Sequence, residues 1–319
     1  MAESVLSAPW FHDETAAYEK LESILWPQGA CCPRCGGFDR ITKVRGGRVG
    51  LWRCGPCKRQ FRVTVGTVFE SAHIPLHLWF QAMHLLCTSK KGFSSHQLHR
   101  TLGVTYKTAW FMSHRVREAM APHTVLMSAL GGEGKIVEAD ETFVGGKERT
   151  KHAWKRVKTN VGGAGKEPVF SLVERGGTVR SHHVPAVDAR TLKPVLEAQL
   201  DRASWLMTDG EGQYRILGPM FAKHEVVNHG IGEYVRGEAH TNTVEGYFSI
   251  LKRGIIGTYH HVSQQHLKRY LAEFDYRYNH RVALGVGDVE RTERALKGII
   301  GKRLTYRGTD HETDAAPAA

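Results

Sequence analysis

No uninterrupted apolar run in this 319-residue chain approaches the about 18 residues that a membrane-spanning helix requires. The opening "MAESVLSAPWFHDET" lacks a basic segment followed by a hydrophobic one, so no secretory signal is expected and the protein is expected in the cytoplasm. Acidic residues are in short supply, 32 against 44 Lys plus Arg, which leaves a formal charge of +12. A polyanion is the natural partner of such a chain, because phosphate neutralisation by Lys and Arg supplies the sequence-independent part of nucleic-acid binding. Cysteine is scarce outside one short stretch: of six, five lie between residues 31 and 57, and Cys87 sits alone in an apolar helical pattern. That distribution argues against a disulfide framework and for a metal in a reducing compartment. A phosphate loop is missing too, since neither "GGEGK" nor "GGAGK" has the G-x4-GK[ST] spacing, which excludes a nucleotide-hydrolysing motor. There is no internal repeat.

What is present begins with the thiols. "CPRC" at Cys32 and Cys35 and "CGPC" at Cys54 and Cys57 are two C-x2-C turns separated by eighteen residues, a spacing that fits a four-thiolate zinc site. Four protein ligands leave no open position, so the zinc is expected to be structural, folding a segment too small to be stable alone. Cys31 is then the spare thiol.

The texture of the chain divides it into an N-terminal helical segment (1–30), a ribbon (31–70), a helical region (71–122), a glycine-ended linker (123–134), a strand-rich region (135–290) and a tail (291–319) whose last dozen residues read as disordered. In the helical region, two short helices about Gly103 match the helix-turn-helix outline, with Lys107, His114, Arg115 and Arg117 expected outward on the second. The same pattern describes any small helical hairpin; the net charge and the adjacent ribbon favour DNA binding. "GGKERTKHAWKRVK" sets six Lys or Arg, Lys155, Arg156 and Lys158 among them, against one Glu. It reads as a loop that grips a phosphate backbone or as a solvated basic loop.

From Ile136 the pattern changes to strands, then alternating helix and strand, which predicts an α/β fold with a mixed sheet and helices on its faces. Two acids stand out there. Asp140 lies in the otherwise apolar "IVEADETFV", and Asp209 ends the strand "SWLMTD". Carboxylates in buried strands are costly unless paired or bound to a cation. Adjacent strands are about 4.7 to 4.9 Å apart, so acids on neighbours can share two metal ions about 3.5 to 4 Å apart. Further on, "HTNTVEGYFSILKRG" is an amphipathic helix with Val244, Tyr247, Phe248, Leu251 and Ile255 on its apolar stripe. Glu245 and Lys252, seven residues apart, return to nearly one azimuth. Asn242 and Glu245 also have capping-box spacing, and Lys252 suits a last-turn cation, so the residues alone allow a structural role. Glu138 shares the strand face of Asp140 by alternation and is an equally placed carboxylate.

Asp140, Asp209, then 35 residues, Glu245 and Lys252 follow the order of the DDE signature. More widely, "WPQGACCPRCG", "LWRCGPCKRQFRVTVGTVF", "PLHLWFQAM", "KTAWFMSHRVREAM", "VEADETFVGGK" and "NTVEGYFSILKRGIIGTYHHVS" resemble the bacterial insertion-sequence transposases of family fifteen-ninety-five, the ISXO type, from about Trp26 to about Arg281. The resemblance implies an RNase H-like catalytic core behind a zinc ribbon. It implies Asp140, Asp209 and Glu245 as ligands of two Mg2+ or Mn2+ ions, and Lys252, with Arg253, as a phosphate contact beside the cut. It is also what selects Asp140 over Glu138. The implied activity is cleavage of the element ends and joining of the 3′-hydroxyl to target DNA by two-metal phosphoryl transfer. Its partners are double-stranded DNA, as terminal inverted repeats and target at the nucleoid, and further copies of the chain in the DNA complex. Two rivals stay open: a metal-dependent nuclease or resolvase without strand transfer, and a non-enzymatic zinc-ribbon regulator.

Overall fold

The computed structural model describes residues 4–122, 128–146, 152–156, 163, 165–228, 230 and 232–305. The chain forms two compact units, one of residues 1–83, 95–119 and 299–319, the other of 84–94 and 120–298.

In the first unit, α1 (Glu14–Leu25) starts where the Asp13 carboxylate accepts the Ala16 N–H at 2.8 Å, and it buries Ala17, Tyr18 and Leu21. Glu14 reaches on to receive the Leu76 and His77 amides that open α2 (Leu76–Thr88). Between these helices a three-stranded antiparallel ribbon runs through β1 (Ile41–Lys43), β2 (Trp52–Cys54) and β3 (Gln60–Phe61) in that order. Strands of two or three residues cannot hold a sheet together by pairing alone. Their small core is Cys32, Cys54 and Phe61, with Trp26 and Trp52 against it.

The helix pair follows as α3 (Ser95–Leu102) and α4 (Tyr106–Met120), joined through Gly103 at φ +66°, where the left-handed backbone favours glycine. Leu98, Leu102, Ala109, Met112 and Val116 are buried as the periodicity predicts. The outward face does not follow the prediction. Every residue of α4 from Met112 to Arg117 is buried, including His114, Arg115 and Arg117. Amphipathic reasoning presumes a solvent-facing side, and this stretch has none.

The second unit is built on a five-stranded sheet. Its strands are β4 (Ile136–Val144), β5 (Glu167–Glu174), β6 (Val179–His183), β7 (Trp205–Asp209) and β8 (Lys223–Val227), in the order β6-β5-β4-β7-β8. The β4, β5 and β6 ladder is antiparallel, while β7 and β8 run parallel to β4. This is the mixed, RNase H-like arrangement, and a parallel neighbour demands a crossover helix. α5 (Ala189–Gln199) supplies it between β6 and β7, and α6 (Gly212–Leu217) lies between β7 and β8.

Alternation sorts the two faces. Val137, Ala139, Phe170, Leu172 and Leu206 face α5 and α6, meeting Leu192, Leu196, Tyr214 and Leu217. Val144, Val169, Val173 and Val179 face the other way, against α7 (Asn242–Gly254) and α8 (Gln264–Asn279) through Val244, Tyr247, Leu251, Leu267 and Phe274. The close approach ends at Gly254, where an added Cβ would stand 2.3 Å from Phe274 and 2.6 Å from the Lys91 carbonyl. Edge strand β6 is held by α8: Asp275 accepts the Ser181 amide and hydroxyl, and Asn279 bonds both the amide and the carbonyl of Val179. Residues 291–297, assigned to the tail by sequence, are helical within α9 (Asp288–Lys297). Two of its buried positions are Arg291 and Thr292, which breaks the apolar rhythm that would have revealed it.

Among the described residues no helix is long and apolar enough to cross a membrane.

Candidate active site

The register between β4 and β7 places the two strand acids. Ile136 pairs with Trp205, Val137 with Leu206 and Glu138 with Met207, where the ladder ends; Asp140 and Asp209 each follow two residues beyond it, near enough for the charge of Asp209 to act on Asp140. Asp140 is the middle residue of β4 and Asp209 the last of β7, and both lie on the α7 face of the sheet. Their fields overlap with that of Glu245. Burial pushes the Asp140 carboxyl up to about 8, and the charges of Asp209, Glu141 and Glu245 add to that effect against the pull of the Glu141 amide. Asp209 accepts the Glu211 amide at 3.3 Å in the turn after β7. Glu245 stands exposed in the first turn of α7 and accepts the Thr241 hydroxyl at 2.9 Å.

Sequence reasoning left the parts played by two further acids around this cluster unread. Glu138 is completely buried and receives the Arg175 guanidinium at 2.6 Å and the Thr243 and Val244 amides at 2.8 and 2.9 Å. Alternation placed it on the correct face, but its partners are distant in sequence and left no local signal. Glu141, on the opposite face of β4, is lifted to about 7 mainly by burial and takes the Tyr214 hydroxyl at 2.6 Å. Asn242, the expected cap, is the first residue of α7, and the N-cap is Thr241.

The basic residues are dispersed. Lys252 is exposed two turns beyond Glu245, about 10 Å of helical rise away, so it flanks the acids and does not join them. Arg253 is exposed and its Nε donates to the Ser249 carbonyl at 3.0 Å. Lys107 is exposed at the start of α4. Arg115 is not available to a phosphate: its Nε and Nη1 donate to the carbonyls of Leu304 and Glu70, and its plane covers Phe111 at 4.6 Å. Arg117 is fully buried with Nη1 on the Ser113 hydroxyl at 3.0 Å. Both are corrected from DNA contacts to internal braces of the helix pair. Lys155 ends a short 3-10 turn, Arg156 follows it exposed, and Lys158 lies outside the described residues.

The thiols converge. Cys32, Cys35, Cys54 and Cys57 have their sulfurs within 4.8 Å of one another, the one such cluster of potential metal ligands among the described residues. The Cys32–Cys57 and Cys35–Cys54 pairs are 3.7 and 3.6 Å apart. A tetrahedron of zinc–sulfur bonds of about 2.3 Å has edges of about 3.8 Å, so the donor set fits zinc. Each C-x2-C turn is followed by a left-handed residue, Gly36 at φ +68° and Lys58 at φ +61°. Cys31 turns its sulfur toward the Gly36 carbonyl and stays outside the cluster.

Comparison with known proteins agrees with this layout. Residues 12–60 match the transposase zinc-ribbon domain and residues 129–279 the ISXO2-like transposase domain. The chain is also 32% identical over 285 residues, 84% of its own length and 91% of the relative's, to an uncharacterized protein in transposable element ISH50 of Halobacterium salinarum. A four-cysteine ribbon in one unit and an acid-bearing mixed sheet in the other thus mark a zinc-ribbon transposase. Within that class the chain belongs to the ISXO2-like family, insertion-sequence family fifteen-ninety-five.

Proposed function

We propose that this transposase cleaves the ends of its insertion sequence and joins the freed 3′-hydroxyl to target DNA, with Asp140, Asp209 and Glu245 as the acids that hold two divalent cations. The observation that carries this reading is the nearness of Asp140, midway along β4, to Asp209, at the end of the parallel neighbour β7, within the field of Glu245. The three acids are not drawn within 4.8 Å of one another as the thiols are, but the donors suit such ions by chemistry: carboxylate oxygens bind Mg2+ and Mn2+, and a cation would neutralise the like charges that act on Asp140. Bound there, the ions would supply Lewis-acid stabilisation of the scissile phosphate and a lowered pKa for the nucleophile, water in the cleavage step and the freed 3′-hydroxyl in the joining step.

The chain's own part is to position. β4 and β7 fix two carboxylates on one rigid sheet, and α7 brings the third from above it. Thr241 orients the Glu245 carboxylate through its hydroxyl. Lys252, exposed along the same helix, contacts a backbone phosphate near the cut as a point charge. Lys107, Arg253, Arg156 and the loop bearing Lys155 and Lys158 grip the duplex through its phosphates. The chain acts on double-stranded DNA as a homodimer or higher oligomer, at the nucleoid in the cytoplasm.

The test is cleavage and strand transfer of a labelled duplex carrying the element end, with Mg2+. The wild type yields both nicked and joined products. Asp209→Asn yields neither and still binds the duplex. Joined product from wild type in a chelator refutes the reading, and nicking without any joining reassigns the protein as a nuclease.

A further inference from the structure

We infer that Glu138 is the positioning residue that seats the helix bearing Glu245 over Asp140, and is not itself a ligand of the cations. This rests on the reading of the three acids given above.

Glu138 is 0% exposed, yet four hydrogen bonds converge on it. Oε1 receives Arg175 Nε at 2.6 Å and the Thr243 hydroxyl at 2.8 Å. Oε2 receives the backbone amides of Thr243 and Val244 at 2.8 and 2.9 Å. His240 Nδ1 stands a further 3.2 Å from Oε1. A carboxylate has about four lone-pair sites. Four donors fill them, which leaves no oxygen facing a cation.

The two amides are the informative partners. They belong to the first turn of α7, whose N–H groups have no carbonyl inside the helix and are ordinarily met by the side chain at the N-cap. Here the N-cap, Thr241, makes no such bond. Its hydroxyl is directed to Glu245 Oε1 instead. The capping duty has passed to a carboxylate of the sheet, which releases the cap residue to orient the acid. A negative charge under the positive end of the helix suits that exchange.

Geometry makes the staple specific. Glu138 and Asp140 are alternate residues of one strand face, about 6.7 Å apart along β4. Glu245 is one residue beyond Val244 on a helix that rises about 1.5 Å per residue. Fixing Thr243 and Val244 on Glu138 therefore fixes Glu245 above Asp140. Arg175 locks the approach to the helix, since Nη1 and Nη2 hold the Glu238 and His240 carbonyls at 2.8 and 2.9 Å while Nε holds Glu138.

The test is Mn2+ binding by electron paramagnetic resonance, together with amide exchange of the Mn2+-free state, on the full-length zinc-loaded protein at a temperature where circular dichroism shows each variant folded. The set is wild type, Asp140→Asn, Glu138→Gln and Glu273→Gln. The last is the control for destabilisation alone: Glu273 is equally buried, pairs with Arg277 and accepts the Tyr259 hydroxyl, and lies on α8. Glu138→Gln is expected to bind the same number of ions at least tenfold more weakly and to exchange the Thr243 to Glu245 amides at least tenfold faster. Glu273→Gln is expected to leave Mn2+ affinity within twofold of wild type. Should Glu138→Gln fail to fold, Thr243→Ala removes one of the four donors and is expected to weaken Mn2+ two- to fivefold. Wild-type affinity and exchange in Glu138→Gln, or the loss of one bound ion, overturns the inference while leaving the acid cluster standing. If wild type and Asp140→Asn bind Mn2+ alike, it is the acid cluster itself that fails.

Discussion

Replacing Asp140 by asparagine should make the protein more stable when it carries no Mg2+ or Mn2+, and the gain should grow with pH. Burial and three neighbouring acids hold the Asp140 carboxyl at about 8, against about 3.9 in an unfolded chain. Between those values the native state keeps a proton that the unfolded state has released. Stability therefore falls as pH rises from about 4 to about 8 and levels off above it. Integrated to pH 7, a shift of this size corresponds to about 4 kcal/mol. Proton sharing with Asp209, Glu141 and Glu245 brings the expected gain from removing the charge to about 2 kcal/mol. For a unit of this size that is a rise of about 4 to 8 °C in melting temperature at neutral pH, and little or none near pH 4. Thermal unfolding of the zinc-loaded protein, prepared without Mg2+ or Mn2+ and followed at several pH values, measures it. Added Mn2+ should reverse the ranking by stabilising wild type alone. A variant that is less stable than wild type at every pH, and equally responsive to Mn2+, would refute the convergence of these acids.

The ribbon and the helix pair yield further expectations. Cys54→Ser should abolish the one zinc per chain, measured by atomic absorption, and increase proteolysis within residues 31–61, because strands this short depend on the metal. Lys107→Ala and Arg115→Ala should behave oppositely. Loss of the exposed Lys107 should lower the salt slope of DNA binding by about 0.9 with unchanged melting. Loss of Arg115, which braces two carbonyls and covers an aromatic ring, should cost about 1 to 3 kcal/mol of stability and leave the slope unchanged once folded.

The parts legible in the sequence are those whose signal is local or periodic. Cys32 to Cys57 announce themselves by spacing, because two residues between ligands is what lets one turn present two sulfurs. Asp140 and Asp209 stand out as charges inside apolar strands, and β4 and β7 are recognisable as strands, so their neighbourhood is open to inference. The partners of Glu138 are not. Arg175 and Thr243 are 37 and 105 residues away, and no pattern in "IVEADETFV" distinguishes an acid that caps a distant helix from one that faces a cation. Arg115 and Arg117 mislead for a different reason: a guanidinium satisfied by carbonyls and aromatic faces is as much at home inside as outside, and the sequence carries only its charge. The strand acids were thus visible, and the scaffold that aligns the helix against them was not.

The side chains of α8 that clasp β6 have an effect beyond holding a helix down. Val179 and Ser181 turn their amides away from β5, in the direction from which a further strand would approach, and Asn279 and Asp275 already occupy them. That margin of the sheet is closed to any foreign β-segment, whether from a second copy or from a misfolded neighbour, unless those bonds are first broken. Growth of the five-stranded sheet at its β6 margin therefore requires α8 to let go first, and strand addition from outside is steered away from that side.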